Sequence, residues 1–452
     1  MDGGKDGSAV LDAPGGEHEF KVPYITRVEG EGSLSLRVRD GEVTEARLRI
    51  FEAPRYFERL IVGRTGDEVI DIVARICGIC PIAYQMTAAH AFEDLYGIAI
   101  DPSVRALRRL LYCGEYIQSH ALHVYMLHAP DFLGYPSVLA MAADHRAVVE
   151  RGLATKRTGN RLISLLGGRP VHPVSVRVGG FSRAPRRADL DPIRHDLDQA
   201  IDATKATVTL VASWTPPELE HAQPLVSLRH PSEYPYNDGR IVSTDGLDIA
   251  PGAWRDAFEE QHLEGSNALH ARTTDGRVYL LGPTARLALA ADQLHPLAAE
   301  ALAATGLAGE IRTNIHRSIV ARAVELLGAL AEARDLVDAY RAPAEPRVAF
   351  TPRAGVAAWS TEAPRGLLHH RYEVDELGHV TAAQIVPPTS QNQGAIEADL
   401  AAFAPRVLDL PHAEATHRLE MLIRAYDPCI SCATHFLDLR VLDERRKEGN
   451  NP

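Results

Sequence analysis

Lysine is scarce in this chain: only five of its 48 cationic residues are Lys, at positions 5, 21, 156, 205 and 447. With the abundance of Ala, that bias reads as GC-rich coding and carries no function. Positive charge is in deficit overall, since 60 Asp+Glu stand against 48 Lys+Arg and leave a formal net charge of −12. Without a long basic run there is no electrostatic footprint for a DNA or RNA backbone, so no nucleic acid partner is expected. No stretch reaches the roughly 18 uninterrupted apolar residues of a membrane span. Residues 1–20 are Gly/Asp-rich without an apolar signal core, so the chain is expected to carry no export signal and to work in the cytoplasm. Five cysteines in 452 residues are too few for a disulfide scaffold. No G-x-G-x-x-G follows a strand pattern, and no internal repeat is present. What remains, 45% hydrophobic and 24% charged residues, fits a globular protein able to bury a large core.

The hydrophobic pattern organises the chain. Residues 33–50 alternate with period two around Asp40-Gly41, which predicts a β-hairpin; residues 372–386 predict a second. Apolar residues recur at helical spacing over 70–96, 104–128, 190–213 and 296–340, the last interrupted by Gly306 and Gly309. A final helix over 415–425 runs into Asp427-Pro428-Cys429. Residues 216–290 are Pro/Gly-rich and mixed, which suggests surface elaboration. The expected fold class is α+β and predominantly helical, a large helical bundle core with peripheral β-hairpins. Residues 1–20 are expected to be a flexible leader, 21–435 one catalytic domain and 436–452 a C-terminal tail.

Four of the five cysteines form two C-x-x-C pairs, Cys77/Cys80 and Cys429/Cys432, with Cys80 and Cys429 349 positions apart. Two residues between cysteines let both sulfurs face one ion, and two such pairs together supply four thiolates. Structural zinc usually brings its pairs within tens of residues to staple a small fold, and a chain of this length needs no staple. A four-thiolate site closed from opposite ends of a large protein better suits a buried soft-metal centre used in catalysis. Cys113, mid-helix among apolar residues, reads as a core thiol.

The string Arg75-Ile76-Cys77-Gly78-Ile79-Cys80, paired with D-P-C-x-x-C-x-x-H from Asp427 to His435, resembles the signatures of nickel-iron hydrogenase large subunits. The likeness runs from Tyr24 to His435. After Pro81, Tyr84-Gln85 stand where many respiratory uptake members have a His at the fourth place after the second Cys. That looks like the cytoplasmic, NAD(P)-linked, sulfhydrogenase-like branch. The resemblance implies reversible heterolytic cleavage of dihydrogen at a nickel-iron centre whose iron carries CO and cyanide. Cys77 and Cys429 would be terminal nickel ligands, and Cys80 and Cys432 would bridge the metals. Cys429 would accept the proton first, and Glu29, in Thr26-Arg27-Val28-Glu29-Gly30, would pass it outward; Glu31 stands where the family motif has His. Arg365, in Ala363-Pro364-Arg365-Gly366, matches the Arg over the open metal face. Pro388 and Thr389 match the loop facing cyanide. Glu58, 19 positions before Cys77, would bind magnesium with His435 and the carbonyl of Ile385. Asp427 would orient the cluster, and Ser119 occupies a place where some members have Asp.

With four cysteines assigned, Cys113 alone cannot hold an iron-sulfur cluster of the four-thiolate kind, so electrons must leave through another polypeptide. The resemblance supplies an iron-sulfur small subunit and diaphorase subunits, which would hold the iron-sulfur clusters, flavin and NAD(P). It also supplies nickel insertion proteins and a maturation protease that cuts just after the His of the second signature, so the mature chain is expected to end at or shortly beyond His435. Competing readings are a zinc-bound scaffold, a dihydrogen sensor with an intact but slow site, and a relative of the complex I quinone-site subunit, which lacks the four cysteines.

Overall fold

The alternation around Asp40 produces an antiparallel pair, Gly32–Arg39 with Glu42–Ile50, in which Leu34 lies opposite Leu48 and Leu36 opposite Ala46. Leu34, Leu36, Leu48 and Ile50 turn inward and are buried. The computed structural model describes residues 11–13, 17–40 and 42–434. The expected leader needs correction at its end: Glu17–Val22 is a strand paired with Gly32–Arg39, and Leu11–Ala13 pairs with it in turn. Phe20 and Val22 are buried on the same sheet, a period-two signal too short to stand out from the Gly/Asp-rich stretch before it. Expectations for residues 1–10 and 435–452 lie outside the described residues.

Four long helices, Pro102–Ala121, Arg146–Gly167, Arg187–Ala212 and Ser318–Ala339, pack together as the helical core. Ser318–Ala339 is buried almost all round over its first fourteen residues, the mark of a central helix. Gly114 and Gly159 let two of these helices approach closely, since a Cβ on Gly159 would stand 2.7 Å from the Gly114 carbonyl oxygen. Helical spacing over 104–128 holds to Ala121 and then continues as a π-helix, Leu122–His128. The stretch 296–340 divides at Gly306 and again at residues 314–317 into Pro296–Thr305, Ala308–Thr313 and Ser318–Ala339, with Gly309 inside the second helix. The mixed middle region is mainly short β-pairs, among them Val226–Arg229 with Arg240–Ser243 and Phe258–His262 with Leu269–Thr273.

Gly355–Ala363, Gly366–Val374 and Val380–Val386 form a three-stranded antiparallel sheet against helix Pro81–Tyr96. The strand before the expected second hairpin, Gly355–Ala363, was not legible from alternation because its last four residues, Ser360-Thr361-Glu362-Ala363, are all buried although three of them are polar. The last long helix, His412–Tyr426, stops at Asp427, whose φ of 56° turns the chain out of the helix. Among the described residues no helix is long and apolar enough to cross a membrane.

Candidate metal centre

The first cysteine pair lies between helices Gly66–Val73 and Pro81–Tyr96, with Pro81 starting the second helix directly after Cys80. The second pair follows the left-handed turn at Asp427. Cys429 lies beside Glu29 in a parallel bridge, and the Ile430 N–H donates to the Glu29 carbonyl at 2.9 Å. Segments from opposite ends of the chain thus bring Cys77, Cys80, Cys429 and Cys432 to one place. Their sulfurs all lie within 4.8 Å of one another, and all four residues are buried. The Sγ separations include 3.4 Å for Cys77–Cys429, 3.8 Å for Cys80–Cys432 and 2.8 Å for Cys429–Cys432.

Backbone and charge are arranged for thiolates here. The N–H groups of Ile79 and Cys80 point at Cys77 Sγ, at 3.3 and 3.4 Å. Hydrogen bonds from Cys429, Cys432 and Cys80, with Arg365 nearby, hold the Cys77 thiol well below its usual range. Burial pushes Cys429 and Cys432 the other way. Four thiolates cannot share so small a dry volume without compensating positive charge, and a soft metal centre supplies it. The donor set therefore fits such a centre.

Around the sulfurs stand the residues singled out by the sequence. Cys429 Sγ donates to Glu29 Oε2 at 3.0 Å, and the Ser431 N–H donates to the same oxygen at 3.1 Å. Glu29 is half-buried, so it links the buried thiol to the outside. Arg365 occupies the two-residue turn between strands Gly355–Ala363 and Gly366–Val374, and this hairpin tip points inward. Its Nε donates to the Asp427 carbonyl at 2.8 Å and its Nη2 to Asp427 Oδ1 at 3.0 Å. Arg365 Nη1 and Asp427 Oδ2 are buried and have no partner among the described residues, which leaves a donor and an acceptor for a bound group. Asp427 has a definite task, holding Arg365. Pro388 starts helix Pro388–Phe403, and the Thr389 hydroxyl accepts from the Cys429 N–H at 3.0 Å, leaving its own proton to donate. Tyr84 is buried one helical turn after Cys80, with its hydroxyl unpartnered among the described residues.

A second polar site lies near the sheet. The Ile385 N–H donates to Glu58 Oε1 at 2.7 Å. Burial, then the charge of Glu260, pushes the Glu58 carboxyl up to about 8. Burial raises Glu260 to about 7. Two interacting half-buried carboxyls fit a hard cation. His435 lies outside the described residues.

Several residues at the metal centre carry no sequence signal. Glu115, on helix Pro102–Ala121, accepts the N–H groups of Ile82 at 2.5 Å and Ala83 at 3.1 Å, capping the helix that follows Cys80. Arg55 Nη2 donates to Ile76 O at 2.8 Å and also to Ser431 O, so one guanidinium braces both cysteine segments. Glu260, described above, is the third. Ser119 is buried with an unpartnered hydroxyl among the described residues, and Cys113 sits in the apolar core.

The family described as nickel-dependent hydrogenase matches residues 55–154 and 275–435. The chain is 32% identical over 428 residues to the sulfhydrogenase 1 subunit alpha of Pyrococcus furiosus, covering 92% of this chain and 98% of that one. It is 26% identical to the NAD-reducing hydrogenase HoxS subunit beta of Cupriavidus necator, covering 92% and 94%. A solved NAD+-reducing [NiFe]-hydrogenase in the H2-reduced state superposes with a TM-score of 0.83 at 27% identity, covering 92% of this chain and 99% of that chain. With four thiols converging where both signatures place them, the chain belongs to the nickel-dependent hydrogenase family as a large subunit of the nickel-iron type.

Proposed function

We propose that this chain catalyses the reversible heterolytic cleavage of dihydrogen and passes the electrons through an iron-sulfur small subunit to diaphorase subunits that bind flavin and NAD(P). The observation that carries the reading is the four-thiol cluster with Glu29 in hydrogen-bond contact with Cys429. Cys77, Cys80, Cys429 and Cys432 would hold the centre, the first cysteine of each pair as a terminal ligand and the second as a shared one. When bound, the nickel-iron centre, with CO and cyanide on iron, supplies the redox and Lewis-acid chemistry that splits dihydrogen. The protein's part is proton handling and enclosure. Cys429 Sγ takes the proton, Glu29 Oε2 receives it across 3.0 Å, and the half-buried carboxylate releases it outward. Asp427 holds Arg365, whose free Nη1 would hydrogen-bond a cyanide of the bound centre and polarise incoming dihydrogen. Thr389, beside Pro388, would offer its hydroxyl proton to a cyanide of the same centre.

Gly78, between the first two thiols, is exposed and packs beside Val171, itself 48% exposed. That patch gives electrons a short path to a covering iron-sulfur partner. NAD(P) linkage is supported by the likeness to the NAD-reducing relatives. Magnesium at Glu58, Ile385 and His435 would neutralise the two raised carboxyls beside the sheet. Nickel insertion and cleavage of the tail after His435 would complete a single catalytic domain working in the cytoplasm. Dihydrogen-dependent NAD(P)+ reduction by the purified multi-subunit complex tests the reading. No hydrogen uptake with either nicotinamide or an artificial acceptor, in a complex loaded with nickel and iron, contradicts it.

A further inference from the structure

Arg365 acts from the two-residue turn between two paired strands, so where its guanidinium stands depends on how that turn is seated as well as on Asp427. Something must fix it. Arg286, on helix Pro283–Ala290, is fully buried and spends every donor it has on this neighbourhood. Its Nη1 donates to the Ala363 carbonyl at 3.0 Å and to Glu362 Oε2 at 2.7 Å. Its Nη2 donates to the Pro364 carbonyl at 2.9 Å and to Glu325 Oε2 at 2.8 Å, while Nε reaches Glu325 Oε1 at 2.7 Å. Glu325 is anchored in turn on the central helix, where it meets His120 Nε2 at 2.9 Å and accepts from the Tyr234 hydroxyl at 2.6 Å. Tyr116 lies under the guanidinium at 5.2 Å and donates its own hydroxyl to the carbonyls of Glu362 and Ala363, at 3.1 and 3.3 Å.

We infer that Arg286 is the positioning residue for Arg365: by gripping the two carbonyls that immediately precede it, Arg286 ties the turn to the helical core and sets where the Arg365 guanidinium stands. Five N–H donors meet five acceptors in a planar fork, a geometry that lysine cannot reproduce. The turn also has no room to settle elsewhere. A Cβ on Gly282 would stand 2.9 Å from the Arg365 carbonyl oxygen, and one on Gly366 would stand 2.6 Å from Leu281 Cβ. Neither Arg286 nor Glu325 belongs to the signature motifs, and neither is among the residues that touch the thiols.

The inference rests on the reading of Arg365 as the group facing cyanide, so the test separates the two. Infrared bands of the iron-bound cyanide and CO are recorded on the purified complex carrying Arg365→Lys, Arg286→Lys or Tyr116→Phe, with nickel and iron quantified in each. Arg365→Lys is expected to move the cyanide bands; unmoved bands overturn the reading of Arg365 and this inference with it. Given that movement, Arg286→Lys is expected to move the same bands in the same direction at unchanged metal content, with kcat falling about 10²-fold and KM little altered, as for a misplacement of order 1 Å. A metal-loaded Arg286→Lys complex that only melts earlier, with wild-type bands and kcat, overturns the positioning role. If Arg286→Lys does not accumulate as folded complex, Tyr116→Phe decides: it removes one hydroxyl from the same turn and is expected to give a smaller shift in the same direction, and unmoved bands there overturn the proposal.

Discussion

Replacing Glu29 by Gln is the sharpest perturbation of the proton path. In the native arrangement one carboxylate oxygen both faces Cys429 Sγ at 3.0 Å and accepts the Ser431 N–H at 3.1 Å. Gln keeps the shape, and its amide oxygen can still accept from Ser431, so the fold should lose no more than about 1 kcal/mol. It cannot, however, take a proton from the thiol. A positioned acid-base group contributes about 10² to 10⁴ in rate, or roughly 2.7 to 5.4 kcal/mol of barrier. The assay is mass-spectrometric exchange of D2 with solvent protons by the purified complex, with nickel and iron measured in the same sample. Exchange should fall by at least about 10²-fold at unchanged metal content. Glu29→Asp, one methylene shorter, should recover part of the loss. Wild-type exchange in the metal-loaded Gln variant would remove Glu29 from the route.

Arg365→Lys should lower turnover by about 10²-fold with both metals retained, because a single ammonium cannot span the Asp427 carbonyl and carboxylate while facing the cluster; unchanged turnover counts against its role. Glu58 binds its proton more tightly folded, at about 8, than unfolded, near 4.5, so protein stripped of divalent cations should lose stability as pH rises through that window. Magnesium should cancel that loss, and thermal melts at pH 5 and 8.5 with and without Mg2+ check it; a pH-independent difference between them refutes the assignment. Glu115→Ala should cost about 2 kcal/mol by orphaning the Ile82 and Ala83 N–H groups, whereas Glu115→Gln should keep most of the cap; equal denaturation midpoints for Ala and wild type would show that the cap contributes nothing.

The thiols and Arg365 were legible because their chemistry permits few substitutes and their spacing survives as a motif. Cysteines recur as pairs, and Arg365 sits between a Pro that fixes the turn and a Gly whose φ is 135°. Three of the four core helices and the first hairpin were legible from periodicity, which burial on one face enforces, whereas helix Arg146–Gly167 and helix Pro388–Phe403 were not read from the sequence. Glu115, Arg55, Glu260 and Arg286 were invisible for the opposite reason. Each acts through tertiary contacts to segments from 21 to 376 positions away, and a lone Glu or Arg has no pattern of its own, whether on a helix like Glu115 and Arg286, on a strand like Glu260 or in a loop like Arg55. Strand Gly355–Ala363 was missed because three of the four residues of its inward half, Ser360, Thr361 and Glu362, are polar although buried, so no apolar pattern marks it. The strand at Glu17–Val22 was missed because it earns its place by pairing with Gly32–Arg39 rather than by its own composition.

The central claim is that Cys77, Cys80, Cys429 and Cys432 hold nickel and iron together in one turning-over site. Metal quantification on the active purified complex, taken with hydrogen uptake on the same sample, tests it most directly. The account predicts about one nickel per large subunit, with one iron per large subunit beyond the iron held in the partner subunits' iron-sulfur clusters, and loss of nickel together with activity when Cys429 is replaced by Ser. Zinc alone at the four thiols of an active complex, or full nickel and activity in the Cys429→Ser variant, would contradict it.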